Sequence, residues 1–288
     1  MKVLILGGSG MLGHRLAHVF SPRFDTHVTF RRALSRRIDR LDGQRIHTGV
    51  SAEDFDSVIQ TVANVRPRAV INCIGVVKQQ GSSKDPIACL GINSLFPHRL
   101  ARLCQAAGAR LIHMSTDCVF SGKKGNYTES DVPDAEDLYG RSKLLGEVQG
   151  PGCLTLRTSI IGREVQTRQG LIEWFLSNQG RTVSGYRRAI FSGLTTAALA
   201  ELMAHLITHF PHLEGIWHVA GEPINKFDLL TLVRDTFQAA IQIVPDEEFH
   251  CDRRLNDARF RQATGWAPRS WTEMVHDLHT ESLAARAA

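Results

Sequence analysis

The sequence predicts a doubly wound parallel α/β sheet, and three observations support this prediction. Short apolar runs typical of buried strands alternate with amphipathic helical patterns across residues 1–160. A glycine-rich turn separates the first predicted strand from the first predicted helix. Small or polar residues follow several strands directly, at the sheet edge where open α/β folds bind ligands.

The composition limits the classes of function that we expect of this protein. The 288-residue chain is 43% apolar and has a formal net charge of +5, which suits the handling of anionic small molecules. We expect no nucleic-acid partner, because no single basic stripe is present. No apolar stretch or signal-peptide pattern indicates a membrane. The six cysteines show no close pairing, which favours reduced thiols in a cytoplasmic protein. The histidines match no metal spacing, so we expect no catalytic metal.

The chain begins with the strand–turn–helix pattern of a dinucleotide site. The apolar run Lys2–Leu6 precedes Gly7-Gly-Ser-Gly-Met-Leu-Gly13, which fits both Gly8-x-Gly10-x-x-Gly13 and Gly7-x-x-Gly10-x-x-Gly13. Glycines permit the tight turn and let a pyrophosphate approach the helix N-terminus. The pattern therefore predicts a Rossmann domain whose first coenzyme-binding residues are Gly7, Gly10, Met11, Leu12 and Gly13.

The next strands extend the predicted coenzyme site. Arg31 and Arg32 follow the second strand, where NAD sites usually place an acidic residue and an arginine accommodates a 2′-phosphate. We therefore expect NADPH, with NADH as the alternative. A third strand is predicted at 44–47 and a fourth at 68–72. The residues that follow them complete the predicted coenzyme site: Val50, Cys73, Ile74 and Gly75.

A second pattern points to proton transfer. Tyr139 and Lys143 are four residues apart, so on a helix over about 137–149 they lie on one face. A phenol ionises only near pH 10, but a neighbouring ammonium favours the phenolate and suits the hydroxyl to acid–base work. Thr116 follows the predicted strand 110–114, at the ligand-binding edge. Its hydroxyl there suits holding a carbonyl oxygen while Tyr139 donates a proton.

The second half alternates less regularly. A sixth strand is predicted at 153–161, with short strands at 189–191 and 215–219. Helical patterns cover 168–178, 195–209, 226–240, 255–264 and 271–286. We expect residues 1–160 to form the dinucleotide-binding domain, completed by elements within 190–220. Residues 161–288 are expected to form most of a smaller, interwoven and discontinuous substrate-binding lobe.

These motifs together resemble the extended short-chain dehydrogenase/reductase family, and within it the dTDP-4-dehydrorhamnose reductases. The resemblance covers nearly the whole chain. The residues that carry it are Gly7–Gly13, Ser115-Thr-Asp-Cys-Val-Phe-Ser-Gly122, Tyr127-Thr-Glu129, Tyr139-Gly-Arg-Ser-Lys143, Glu147 and Arg157-Thr158. The resemblance implies NAD(P)H-dependent reduction of a 4-keto group on a nucleotide-activated 6-deoxy sugar, for surface-polysaccharide biosynthesis. It implies Thr116, Tyr139 and Lys143 as the catalytic triad, and matches Asn93 to an often structural asparagine.

The sequence departs from the reductase pattern near the sugar. Cys118 stands where the family has tyrosine, and Ile160 where it has an aromatic residue. With Arg163 and Arg187, whose charges suit a diphosphate, these are the candidate substrate residues. The departures leave the sugar and the nucleotide open, and a homodimer is one candidate assembly.

Two alternatives stay open. One is a sugar-nucleotide epimerase or bifunctional epimerase-reductase, because the related GDP-fucose synthases use a cysteine at the place of Cys118 as an acid/base. The other is a non-catalytic regulatory subunit of the same fold, like that of methionine adenosyltransferase. The intact pair of Tyr139 and Lys143 favours an enzyme.

Overall fold

The computed structural model describes residues 1–32, 45–77, 84–164 and 169–287. Within these ranges the chain forms two compact units. Unit 1 comprises Met1–Ser115, Glu136–Leu156 and Ala200–Trp217, and unit 2 comprises Thr116–Ala135, Arg157–Leu199 and His218–Ala288. The predicted third strand began at residue 44, which lies outside the described residues. No helix in the described ranges is long and apolar enough to cross a membrane.

A seven-stranded sheet organises unit 1 and confirms the predicted doubly wound fold. Its strand order is β11-β6-β5-β4-β1-β2-β3, which contains the Rossmann order 3-2-1-4-5-6. Pairing is parallel from β3 across to β6. The strands are β1 (Lys2–Leu6), β2 (Asp25–Phe30), β3 (Arg45–Thr48), β4 (Ala69–Asn72), β5 (Arg110–Met114), β6 (Cys153–Arg157) and β11 (Gly215–His218).

Amphipathic helices cover this sheet. The helices of unit 1 are α1 (Met11–Phe20), α2 (Phe55–Val65), α3 (Pro86–Ala88), α4 (Phe96–Ala106) and α5 (Leu138–Leu145), with a π-helix at Cys89–Leu95 between α3 and α4. Helix α7 (Thr196–His209) has residues in both units. Apolar side chains of α2 and α4, among them Val58, Val62 and Leu100, pack with strand residues such as Leu4 and Val70 in one buried cluster. This burial fixes the helices on the sheet.

The π-helix approaches α5 very closely. A Cβ atom on Gly146, the residue that ends α5, would lie only 1.8 Å from the backbone oxygen of Asn93. Only glycine fits that space. The helix also ends earlier than the predicted range of 137–149, because the chain turns at Gly146, whose N–H bonds to Lys143 O at 3.1 Å.

The described residues of unit 2 form three small sheets. The short strands are β7 (Ile160–Ile161), β8 (Thr182–Tyr186), β9 (Ala189–Phe191), β10 (Leu194–Thr195), β12 (Ile224–Asn225), β13 (Gln242–Asp246) and β14 (Cys251–Asp252), paired as β10-β7, β12-β9-β14 and β13-β8. The helices are α6 (Leu171–Leu176), α8 (Lys226–Phe237), α9 (Ala258–Thr264) and α10 (Trp271–Ala287). Fully buried aromatic side chains of this unit include Phe120, Phe175 and Phe260.

Two predicted features differ from the structure. The predicted sixth strand is two strands, because β6 pairs with β5, whereas β7 pairs with β10. Between β6 and β7, Ser159 O accepts a hydrogen bond from Leu194 N at 2.9 Å. The segment 116–135, expected in the first domain, belongs to unit 2. Backbone hydrogen bonds explain this placement, since Tyr127 N donates to Arg254 O at 2.8 Å and Asn256 N to Tyr127 O at 2.7 Å.

The contact between α5 and the π-helix generates a stability prediction. Gly146→Ala should lower the free energy of unfolding by about 2 kcal/mol or more, since the new methyl group meets backbone that must move. Gly91→Ala is the matched control, because no atom lies within 4 Å of a Cβ there, and it should be neutral or stabilise by about 0.5–1 kcal/mol. Urea denaturation of both variants measures the difference. Equal stabilities would contradict the described contact.

Candidate active site

The glycine turn after β1 has the form of an anion site. Gly7 has a left-handed φ of +89°, and its N–H donates to Thr29 Oγ1 at 3.1 Å. A Cβ on Gly13 would lie 2.2 Å from Gly7 O, so α1 packs tightly on the turn. Gly10, the N-cap, offers no side chain to the first turn, and that turn, which holds Met11 and Leu12, contains no acidic residue. These features fit a pyrophosphate at the N-terminus of α1.

The structure brings two predicted coenzyme segments together. Strand order reverses between β1 and β4, and doubly wound sheets bind ligands at such a point. A Cβ on Gly7 would lie 3.2 Å from the backbone carbon and oxygen of Cys73 and 3.1 Å from Ile74 Cγ1. The two loops therefore touch through their backbones. Gly75 and Ile74 are only partly covered, which leaves this edge of unit 1 open.

The other predicted coenzyme residues flank β2 and β3. Arg31 and Arg32 follow β2 directly and are exposed. Arg31 makes a loose ion pair with Glu53, with 3.9 Å between Nη1 and Oε1 and about 60% exposure of both side chains (66% and 58%). Such a pair contributes little and leaves the guanidinium available. Val50 is buried, and its N–H donates to Phe30 O at 3.1 Å.

Helix α5 carries the predicted acid–base pair. Asp137 caps its N-terminus by accepting a hydrogen bond from Gly140 N at 2.7 Å. Lys143, with only 7% of its surface exposed, donates from Nζ to Met114 O at 2.6 Å, at the end of β5. Burial lowers the pKa of Lys143 to about 8, although Glu147 and Cys73 act in the opposite direction. Tyr139 is partly exposed on the same helix, as a proton donor to a substrate must be.

Cys73 is held as a neutral thiol beside Lys143. Burial raises the pKa of Cys73 to about 12, and the charge of Lys143 lowers it only in part. The side chain is therefore small and uncharged near neutral pH, which suits its place in the predicted coenzyme segment.

Asn93 on the π-helix holds the site together. Its Oδ1 accepts from Val76 N at 2.9 Å, and its Nδ2 donates to Val76 O at 3.1 Å and Ser142 Oγ at 3.1 Å. Ser142 in turn donates to Tyr139 O at 2.8 Å. Asn93 thus joins the loop after β4 to the helix that carries Tyr139 and Lys143. The sequence named Asn93 but missed Ser142, whose only signal was its place inside the Tyr-x-x-x-Lys motif.

Thr116 and Cys118 lie on a 3-10 turn of unit 2 (Asp117–Val119). Thr116 caps this turn, since its Oγ1 accepts from Cys118 N at 3.1 Å. The hydroxyl donates to Asp117 Oδ1 at 3.2 Å. Burial raises the pKa of Asp117, against the charges of Arg253 and Lys226.

The remaining candidate substrate residues have diverse surroundings in unit 2. Ile160 lies on β7, opposite Leu194, and is partly exposed. Arg163 forms a close ion pair with Glu173, so its charge is largely neutralised. Arg187 is exposed and stacks on Phe227, with 4.1 Å from Cζ to the ring centroid. Its Nε lies 3.4 Å from Glu247 Oε1. Of the two arginines, Arg187 is the more available for an anion.

Residues 1–283 match the family model of the RmlD substrate binding domain. The chain belongs to this family. The membership confirms the resemblance stated from the sequence motifs, and the match covers both units.

The curated proteins that are similar to this chain include, by name, both a subunit of methionine adenosyltransferase and reductases. Methionine adenosyltransferase 2 subunit beta from Rattus norvegicus is 24% identical over 253 residues, covering 82% of this chain and 72% of that protein. The dTDP-4-dehydrorhamnose reductase of Salmonella typhimurium is 24% identical over 254 residues, covering 83% and 79%. The crystal structure of dTDP-4-dehydrorhamnose reductase from Bacillus anthracis in complex with NADP superposes with a TM-score of 0.80 at 22% identity, covering 97% and 99%. At 22% identity, this similarity establishes that the two proteins share a fold and nothing more.

Proposed function

We propose that the protein is an NADPH-dependent reductase of the 4-keto group of a nucleotide-activated 6-deoxy sugar. One observation carries the proposal: a buried Lys143, fixed on the Met114 carbonyl, stands one helical turn after Tyr139. It interacts electrostatically with Cys73, whose backbone lies close to the glycine turn. A structural helix has no need to bury an ammonium, because that burial is costly. The Salmonella relative, a dTDP-4-dehydrorhamnose reductase, supports the same reaction class.

The residues suit defined roles in this reaction. The glycine turn and the N-terminus of α1 hold the pyrophosphate, and Arg31 and Arg32 hold the 2′-phosphate. The nicotinamide, when bound, supplies the hydride. Tyr139 donates its proton to the substrate oxygen as the alcohol forms, and Thr116 hydrogen-bonds that oxygen. Lys143 holds the nicotinamide ribose, and its charge favours the ionised state of Tyr139. Cys118 and Ile160 are the proposed residues near the sugar, and Arg187 is favoured over Arg163 for the diphosphate.

A regulatory subunit is the second candidate, because the rat relative is by name a subunit of methionine adenosyltransferase. Such a subunit has no need of turnover, so detection of sugar-dependent NADPH oxidation would exclude it as the sole function. The cytoplasmic location and the homodimer stay predictions.

The Tyr139→Phe variant tests the reductase directly. The change removes only the proton donor, so kcat should fall by about 10²–10⁴-fold, the usual contribution of general acid catalysis. NADPH affinity and melting temperature should stay near the wild-type values. The assay is NADPH oxidation with a panel of dTDP-, UDP- and GDP-linked 4-keto-6-deoxy sugars. Activity within a few-fold of wild type would remove Tyr139 from its assigned role.

Coenzyme preference tests the roles of Arg31 and Arg32. Hydrogen bonds to a charged group are worth about 1.5–3 kcal/mol, so NADPH should bind at least about ten-fold more tightly than NADH. The Arg31→Ala/Arg32→Ala variant should lose this preference. Arg45→Ala/Arg68→Ala is the control, since it removes two other exposed arginines of unit 1 and should keep the preference. Fluorescence titration measures both coenzymes, and equal wild-type affinities would contradict the assignment.

A further inference from the structure

Lys226 has a position that helix stability does not explain. It is the first residue of α8, a 12-residue helix, where the positive end of the helix dipole disfavours a cation. The helix is capped without it, since Asn225 Oδ1 accepts from Asp228 N at 2.8 Å. A lysine at this position therefore destabilises the helix, and no cap or dipole interaction offsets that effect.

The ammonium of Lys226 lies in a partly buried setting above an aromatic ring. Its Nζ stands 3.9 Å from the ring centroid of Phe191, and the residue is half-buried. Burial lowers the pKa of Lys226 to about 8, with Asp117, Cys118 and Cys251 acting in the opposite direction. Within the described part of the chain, no atom accepts a hydrogen bond from Nζ, although an ammonium has three protons to donate.

The neighbours of Lys226 are held in place. Asp252 N donates to Gly122 O at 2.7 Å, and Arg253 Nε donates to Phe120 O at 2.8 Å. These bonds fasten the segment after Thr116 to β14. Asp117 and Cys118, which interact electrostatically with Lys226, also bond directly to the hydroxyl of Thr116. Lys226 directly follows Asn225, which pairs with Ile190 on β9, and Ile190 pairs in turn with Asp252 on β14. Strand pairing therefore places Lys226 in unit 2 beside the strand to which the segment after Thr116 is bonded.

We propose that Lys226 is a substrate-binding residue that donates hydrogen bonds to the oxygen substituents of the sugar ring. The inference rests on the proposed function, because Thr116 places the keto sugar near these residues. Asp117 offsets the charge of Lys226, so the ammonium is a weak site for a doubly charged phosphate and a better one for hydroxyl oxygens. Phe191 is buried under the ammonium and packs against Trp271, so it supports Lys226 from below.

Equilibrium binding to the NADP⁺-saturated protein, in which no reduction takes place, tests this inference. The probes are dTDP-, UDP- and GDP-linked 4-keto-6-deoxy sugars, each compared with its nucleoside diphosphate. Lys226→Met should lower the affinity for the sugar nucleotide at least about ten-fold, as expected for the loss of hydrogen bonds from a charged donor. It should change affinity for the matching diphosphate less than two-fold. Lys84→Met, at an exposed lysine of unit 1, is the control and should change neither.

Each result decides the inference. An equal loss for sugar nucleotide and diphosphate would assign Lys226 to the phosphates, and no loss would remove it from the site. Either result with wild-type turnover intact overturns the Lys226 role alone. If the wild-type protein binds a sugar nucleotide but shows no turnover, the proposed reductase activity is wrong, and the titration still decides the role of Lys226. If none of the six probes binds, both proposals are wrong. Melting temperatures verify folding, and Lys226→Gln replaces the Met variant if the latter does not fold.

Discussion

The hydrogen bond from Lys143 to the Met114 carbonyl is the constraint around which unit 1 is arranged. A buried ammonium is tolerated only with acceptors and counter-charges, and here it has a backbone oxygen at 2.6 Å and the charge of Glu147. To reach that oxygen, α5 must lie against the end of β5. Gly146 lets the end of α5 lie against the π-helix, and the three hydrogen bonds of Asn93 join that π-helix to α5 and to the loop after β4. Tyr139 lies on the same helix, so its position is fixed by the same contacts.

The predicted coenzyme site depends on a different constraint, which is the close approach of backbone segments around the glycine turn. Gly7 and Gly13 leave no room for a side chain, so β1, its turn and α1 are packed to the distance of bare backbone. An anion is then stabilised by N–H groups and the helix dipole rather than by a flexible side chain. The Asn93 network connects the loop after β4, which touches this turn, to α5. The predicted coenzyme site and the acid–base pair therefore share one rigid frame within unit 1.

Local sequence patterns predicted the frame well and the details of unit 2 poorly. The apolar runs of β1, β4 and β5 are buried on both faces, so their strands are evident from composition alone. The two-residue strands β7, β10, β12 and β14 depend on pairing between distant segments, which leaves no local signal. Arg163 appeared available in the sequence, but Glu173, ten residues later, neutralises it. Lys226 was missed because its significance lies in Phe191 and Asp117, both remote in sequence.

In the proposed reaction, this site passes a hydride from NADPH to a sugar carbonyl. The most direct measurement is incubation of the protein with NADPH deuterated at the nicotinamide C4 and a nucleotide-linked 4-keto-6-deoxy sugar in ordinary water, followed by NMR of the product. Hydride transfer without epimerisation predicts one deuterium at sugar C4 in a single configuration and none at C3 or C5. A product without deuterium at C4, from either diastereomer of labelled coenzyme, would contradict it, as would the absence of product with all three nucleotides.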